Sequence, residues 1–453
     1  MKKHLLCTVV LWVAGTLLGH AVEFTTNGDG TVYSFEKLST ISGSGVTKDG
    51  SMYVLEGTCT IAQGDRFEID NEVTVAFDEE SELIIEGECN LCASTATKLT
   101  RWGNAQNCRG IMVKGSKDTC TDAANLTFEY VGLRCASDMN VRSCHFLYHN
   151  GSSSGALYLG KDGASFHITD CSFEECQKAA IGGAANYSCP IVIEGCTFRR
   201  NSQANGNVPQ LNLTAATKME IRNCMVEGDP NLTKVGGIGI SNFWGFSETT
   251  AVIEGCDIRD NRYGITTLGF IDIIITNNQI IDNNHELNAS NGGSGISLYD
   301  PNQKQKAMIT GNHIEGNLWG ITIIGCGDVN IGKTEVPTDA ADYNPGRNTF
   351  VNNGNNDILF DLFNNSTNTV YAQGNVWNVK KQDKKSIEEV IVHKYDDPSL
   401  GEVIFMPAGD PSHISHSYAN SGTDAVYRLD GTKVNKTTLP HGFYIINGKK
   451  VVR

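Results

Sequence analysis

The sequence predicts an all-β fold: a solenoid of short strands wound coil upon coil, followed by a small C-terminal β unit. Three observations predict it. A degenerate pattern recurs through the middle of the 453-residue chain: Cys or Asn, any residue, a large apolar residue, two more residues, then Asn or Cys. Within each repeat, apolar and polar residues alternate with period two, as in strands with one buried face. Helical periodicity is nearly absent, while glycine is abundant at 48 residues.

The repeat begins at Cys144-His-Phe146 and continues as Cys171-Ser-Phe173-Glu-Glu-Cys176, Cys196-Thr-Phe198-Arg-Arg-Asn201 and Cys224-Met-Val226. Then come Cys256-Asp-Ile258-Arg-Asp-Asn261, Asn278-Gln-Ile280-Ile-Asp-Asn283, Asn312-His-Ile314-Glu-Gly-Asn317, Asn348-Thr-Phe350-Val-Asn-Asn353 and a last half-match, Asn375-Val-Trp377. The first positions lie 27, 25, 28, 32, 22, 34, 36 and 27 residues apart. A period of tens of residues marks a solenoid. After each turn a small residue precedes an aliphatic one, as in Ala180-Ile181, Gly264-Ile265, Gly295-Ile296 and Gly320-Ile321, which marks a tight bend into a second short strand. Strands with no helices to carry crossovers satisfy parallel pairing by coiling, each coil roughly 4.8 Å from the next.

Equivalent residues on successive coils then stack. Phe146, Phe173, Phe198, Val226, Ile258, Ile280, Ile314, Phe350 and Trp377 form one inward ladder. Cys144, Cys171, Cys196, Cys224 and Cys256 form a second beside it, which changes to Asn from Asn278 onward. A turn ladder follows: Cys176, Asn201, Asn261, Asn283, Asn317 and Asn353. Stacked Asn amides bond to one another and to turn backbone, and Asn tolerates the left-handed conformation. This pattern resembles the right-handed parallel β-helix proteins, the superfamily that includes pectate lyases. The resemblance implies the fold, and leaves activity open, because such coils host lyases, hydrolases, epimerases and adhesins.

Residues 1–21 read as a secretion signal. Lys2-Lys3 precede an apolar run from Leu5 to Leu18, and Gly19-His-Ala21 offers a cleavage site. No later segment is long and apolar enough to span a membrane. Formal net charge is −15, and no basic tract exists to pair with phosphates, so nucleic acid is not an expected partner. Residues 22–118 read as an N-terminal cap and opening coils, and 119–406 as the regular β-helix. Arg101-Trp102-Gly103 and Gly110-Ile-Met-Val113 resemble the first rung of β-helix proteins of Bacteroidota. Residues 407–421 read as a linker. The segment 422–453 carries an Asp430-Gly431 turn, Leu439-Pro-His-Gly442-Phe-Tyr444 and Gly448-Lys-Lys-Val-Val-Arg453. It resembles the end of a type IX secretion sorting domain. That resemblance implies a Gram-negative cell, contact with the type IX export machinery, and a secreted or outer-membrane-attached protein.

Fourteen cysteines follow the signal. The five stacked ones read as packed thiols, since side chains stacked in parallel point the same way. One or two disulfides are expected among Cys59, Cys89, Cys92, Cys108, Cys120, Cys135 and Cys189. Neither the lone Cys89-Asn-Leu-Cys92 nor the scattered surface histidines His145, His149 and His167 reads as a metal site.

Outward residues on neighbouring coils are where chemistry would sit. The densest cluster is Glu174, Glu175, Arg199, Arg200, Glu227, Asp257, Arg259 and Asp260. One reading is a sugar-acid subsite in which Arg199 or Arg259 takes a proton and Asp257 or Asp260 holds calcium, as a lyase requires. The other is a cross-rung ion-pair ladder on a solvated face. Trp244, Phe246 and Trp319, in loops or beside turns, are the candidates for stacking on a pyranose ring. The expectation is a secreted or surface β-helix that binds an extracellular polysaccharide or host glycan without catalysis and without a cofactor. The alternative is a polysaccharide lyase, calcium-dependent, or a glycoside hydrolase acting on an acidic polysaccharide.

Overall fold

The computed structural model describes residues 22–413, except 116–119, 161–163, 184–189, 215–216, 244–246 and 287. It also describes four strands beyond: Val426–Arg428, Lys433–Val434, Phe443–Ile446 and Lys449–Val452. The signal segment 1–21, Cys189, Trp244, Phe246 and most of the expected linker lie outside the described residues. The chain divides into two compact units, one ending at Ala408 and the other beginning at Gly409.

The first unit is a right-handed parallel β-helix. One face is a sheet of 14 parallel strands, from Glu23–Thr25 to Ile391–Val392. Its inward row gives one aliphatic or thiol side chain per coil, running Cys59, Leu83, Ile111, Leu133, Leu157, Ile181, Leu211, Ile238, Ile265, Ile296, Ile321, Leu362 and Ile391. The other two faces are joined at the start by long strands that cross the bend between them. Thr121–Glu129 pairs with Met139–Arg142 through its first half and with His145–Leu147 through its second. Described helices are confined to two five-residue α-helices, Phe35–Ser39 and Lys384–Glu388, and a 3-10 turn at Pro411–His413. No described helix is long and apolar enough to cross a membrane.

The inward ladder is present and starts earlier than the sequence repeat. Val75, Leu99 and Phe128 precede Phe146 in register. Phe128, Phe146, Phe173 and Phe198 stack at centroid separations of 4.7, 4.6 and 5.1 Å, the spacing that parallel pairing imposes. Phe350 and Trp377 close the ladder at 4.9 Å. The coil of Phe128 escapes the repeat because Leu126 stands where later coils carry Cys or Asn.

The Cys-to-Asn ladder is buried throughout. Each thiol donates weakly to backbone carbonyls: Cys196 Sγ to Glu194 O at 3.4 Å and Ile168 O at 3.6 Å, Cys224 Sγ to Arg222 O at 3.2 Å and Ile193 O at 3.8 Å. Asn278 and Asn312 do the same job with amides, donating to Ile253 O at 3.0 Å and Ile275 O at 2.9 Å. Their carboxamide oxygens also accept the backbone N–H of the preceding coil. The thiols are therefore hydrogen-bonded turn elements as well as packing groups. The expected disulfides are not formed: all 13 described cysteines are free. Gly264, Gly295 and Gly320 are required by close approach, because a Cβ on each would lie 2.5, 2.9 and 2.3 Å from a carbonyl oxygen of the next coil.

In the second unit the four described strands form an antiparallel sheet, in the order Lys433–Val434, Val426–Arg428, Phe443–Ile446, Lys449–Val452.

Candidate functional site

Alternation places every second residue of the 14-stranded sheet on the outside of the coil. One outward row reads Asn212, Gly239, Thr266, Ser297, Thr322 and Phe363. The next reads Thr214, Ser241, Leu268, Tyr299, Ile324 and Asn365. All of these but Thr214 and Tyr299 floor a groove of about 690 Å³. Its floor is mostly short hydroxyls and amides, interrupted by Leu268, Ile324 and Phe363.

The turns that enter the sheet supply the wall. Gly239 lets the 207–209 loop lie against the floor, since a Cβ there would sit 2.7 Å from Pro209 Cγ. Arg262 ties this loop to the next: its Nη1 donates to Asn207 Oδ1 at 2.5 Å and its Nη2 to Asn291 O. Tyr263 beside it keeps its phenol proton, because burial pushes its pKa up to about 12. At the far end Trp319 donates Nε1–H to Ala289 O at 2.9 Å and packs its ring 4.5 Å from Phe360 and 5.5 Å from Phe363. With its polar atom spent on the wall, the indole presents only apolar surface to the groove. Arg262 is the one charged side chain among the groove's lining residues.

Trp319 is thus the sequence-predicted aromatic that the structure places in a groove; Trp244 and Phe246 fall outside the described residues. Arg262, Tyr263, Phe363 and the hydroxyl row were missed. The signal was present: Thr266, Ser297 and Thr322 each stand two residues after the small residue of the bend, at Gly264, Gly295 and Gly320.

The charged cluster lies on a different face. Glu174, Arg199, Glu227 and Arg259 are outward neighbours in register. Arg199 Nε is 3.2 Å from Glu227 Oε2, Arg200 Nη2 is 2.6 Å from Glu175 Oε1, and Arg259 pairs with Asp257. Hydrogen bonding to Glu175 and to Asp257 raises the pKa of Arg200 and Arg259 further. Asp260 Oδ1 stands 3.5 Å from His285 Nε2. Each cation is thereby matched to a carboxylate, and Arg199, Arg259, Asp257 and Asp260 do not line the groove.

The three histidines do not converge. His145 Nδ1 lies 2.8 Å from Ser172 Oγ, and His167 sits on another face, beside Asn140 and Val192. His149 is not a surface residue: it is buried, and burial holds its pKa down to about 3, so the ring is neutral. Among the described residues no group of three or more His, Cys, Asp or Glu is arranged to hold a metal ion.

A protein-family model described as periplasmic copper-binding protein (NosD) matches residues 90–323. No curated protein matches the chain. Solved structures of the periplasmic alginate epimerase AlgG are similar in fold. A point mutant of it has a TM-score of 0.45 at 12% identity over 83% of each chain. Another crystal structure of the epimerase has 0.37 at 11% identity, again over 83% of each chain.

Proposed function

The chain belongs to the family described as periplasmic copper-binding protein (NosD), and on that β-helix scaffold we propose that it holds a glycan chain in the groove over the 14-stranded sheet without cleaving it. The observation that carries this reading is the groove's chemistry. Trp319, Phe363 and Tyr263 offer apolar surface for pyranose rings, and Asn212, Ser241, Thr266, Ser297, Thr322 and Asn365 offer hydrogen-bonding partners for hydroxyls. Glycoside hydrolysis needs two carboxyl groups across the scissile bond. Calcium-assisted elimination needs carboxylates for the ion and a base. The groove's lining residues include no carboxylate.

The family's description as periplasmic supports a place in the cell envelope or outside it. The antiparallel sheet of the C-terminal unit supports its reading as a type IX sorting segment of a Bacteroidota protein, and deletion of 422–453 should then hold the protein inside the outer membrane.

The family description also names copper. The described residues do not fit a copper centre. Thiolate, not thiol, is the metal ligand, and burial pushes Cys59 and Cys176 up to about 12 and raises Cys135 as well. One sulfur pair, Cys135 Sγ and Met139 Sδ, is 2.9 Å apart and buried. That is too close for two tetrahedral ligands of one metal at roughly 2.3 Å each.

The test is affinity electrophoresis of the purified protein in gels containing a β-glucan, a mannan, a xylan or a polyuronate. Retardation in at least one gel, abolished by Trp319→Ala, is expected. Incubation with the same polymers should release no unsaturated products and no new reducing ends. Product formation that disappears in Arg259→Ala would overturn the binding reading in favour of a lyase.

A further inference from the structure

A second cleft, of about 550 Å³, lies on the turn edge of earlier coils, outside the groove. Its floor is a pair of tyrosines on successive coils, Tyr130 and Tyr148, with ring centroids 5.5 Å apart and planes tilted by 30°. Arg101 covers the Tyr130 ring from the other side, its guanidinium carbon 3.8 Å from the centroid. Tyr148 is therefore the last ring of a three-layer stack, with Glu175 at the equivalent place on the next coil, and it is 39% exposed.

Both tyrosines are held in the left-handed backbone region, with φ of 65° and 56°. A bulky residue there is a true outlier. The equivalent turn positions on the next two coils, Glu175 and Arg200, share this conformation with φ of 52° and 49°, and later coils carry Gly228, Asp260, Asp282, Gly316 and Asn352 there. The fence around the rings is made of carboxamides, from Gln106, Asn150, Gln177 and Gln203. Asn150 Nδ2 donates to Gln106 Oε1 at 3.2 Å, while Asn150 Oδ1 is buried and accepts no hydrogen bond. Glu175, the one carboxylate of the lining, is neutralised by Arg200. Aromatic faces, amides and balanced charge suit an uncharged pyranose ring better than a uronate, the more so on a chain of net charge −15.

The cleft and the groove share one loop. Gln203 lines the cleft, and Asn207 and Pro209 line the groove. Four residues of backbone span at most roughly 14 Å. We propose that the Tyr130–Tyr148 cleft is a second saccharide site, and that a neutral glycan long enough to follow this loop occupies cleft and groove together. This rests on the groove reading above. Two linked contacts then multiply, so affinity should rise steeply once the glycan is long enough to reach both.

The experiment titrates short and long oligosaccharides of a neutral glycan that the protein retains in gels, by calorimetry, against wild type, Tyr148→Asn, Tyr148→Phe and Trp319→Ala. Asn tolerates the left-handed turn. Tyr148→Asn should therefore keep the wild-type melting temperature or exceed it, bind short oligosaccharides in the groove as wild type does, and lose at least about tenfold of the affinity for long ones. Tyr148→Phe should keep most of that affinity. Long-chain affinity unchanged in Tyr148→Asn overturns the second site while leaving the groove reading intact. An unchanged affinity in Trp319→Ala would instead remove the groove reading on which it rests.

Discussion

The carboxamide of Gln210 donates to Asn261 Oδ1 at 3.0 Å across 51 residues of sequence. It repairs a break in the turn ladder. The coil of Val226 turns through Gly228-Asp229 and has no Asn at the ladder position. Gln210 reaches into the gap: its Oε1 accepts Asn201 Nδ2 at 3.0 Å and Asn201 N at 3.1 Å, as Asn317 Oδ1 does for Asn283. Its Nε2 also serves Glu227 O at 2.9 Å. Gln210→Ala would leave buried donors and an acceptor unmatched on both sides. A loss of about 1–3 kcal/mol is expected, read as a fall in the denaturation midpoint, with exchange protection lost first around Asn201 and Asn261.

The junction at Cys256 predicts an asymmetry between two substitutions of the same type. Cys256 N already donates to Asn278 Oδ1 at 2.9 Å, and its thiol points at Ile221 O, 3.7 Å away. An Asn at 256 would therefore find both partners that Asn278 finds in the next coil, and Cys256→Asn should change stability by less than about 1 kcal/mol. Cys196→Asn meets Cys224 instead, which has no carboxamide oxygen to accept the new amide. It should cost about 1–3 kcal/mol, measured in the same denaturation series.

These relationships show where the fold was legible. Phe173, Phe198 and Ile258 declare themselves because each coil must supply its own inward side chain at a fixed place after a Cys. The coil of Phe128 does not, because Leu126 carries the packing without the signature. Gln210 is invisible for a different reason: it acts from a position outside the repeat, and only the coil geometry brings it beneath Asn201. The site was legible at Trp319, an aromatic beside a turn. Tyr148 stands at an outward turn position that the repeat spacing gives, but its role depends on its stacking against Tyr130 and on Arg101 beyond it, which a sequence does not display. The outward places of Arg199, Glu227 and Arg259 follow from spacing alone, while the choice of partner for each cation follows from side-chain reach.

Thiol accessibility should divide the cysteines sharply. Cys120 is exposed and Cys92 half-buried, while the five stacked thiols are buried. Cys196 is pushed up to about 12, by its hydrogen bond with Cys171 first and by burial as well. Attack on a maleimide requires thiolate, so the folded protein at neutral pH should label at Cys120 and Cys92 within minutes and at the stacked positions only in denaturant. Mass mapping of the modified peptides is the readout. Labelling of Cys196 or Cys224 in the folded protein would contradict the ladder.

Asp361 ends the turn ladder and makes stability depend on pH in an uncommon direction. Its Oδ1 is 3.5 Å from Asn353 Nδ2, and its Oδ2 accepts Asn378 N at 2.8 Å. The carboxyl is buried, and burial raises its pKa to about 7. An acid that holds its proton more tightly when folded stabilises the fold below its unfolded pKa of about 3.9 and loses that contribution as pH rises through 7. The loss amounts to about 4 kcal/mol at most, from roughly 1.4 kcal/mol per pKa unit. Asp361→Asn places a neutral amide where the preceding coils already have one, at the cost of one of the two accepted hydrogen bonds. The variant should be about 1 kcal/mol less stable than wild type near pH 4 and more stable above pH 7, with the two denaturation curves crossing between. Parallel curves over that range would mean that the carboxyl titrates as it does in water.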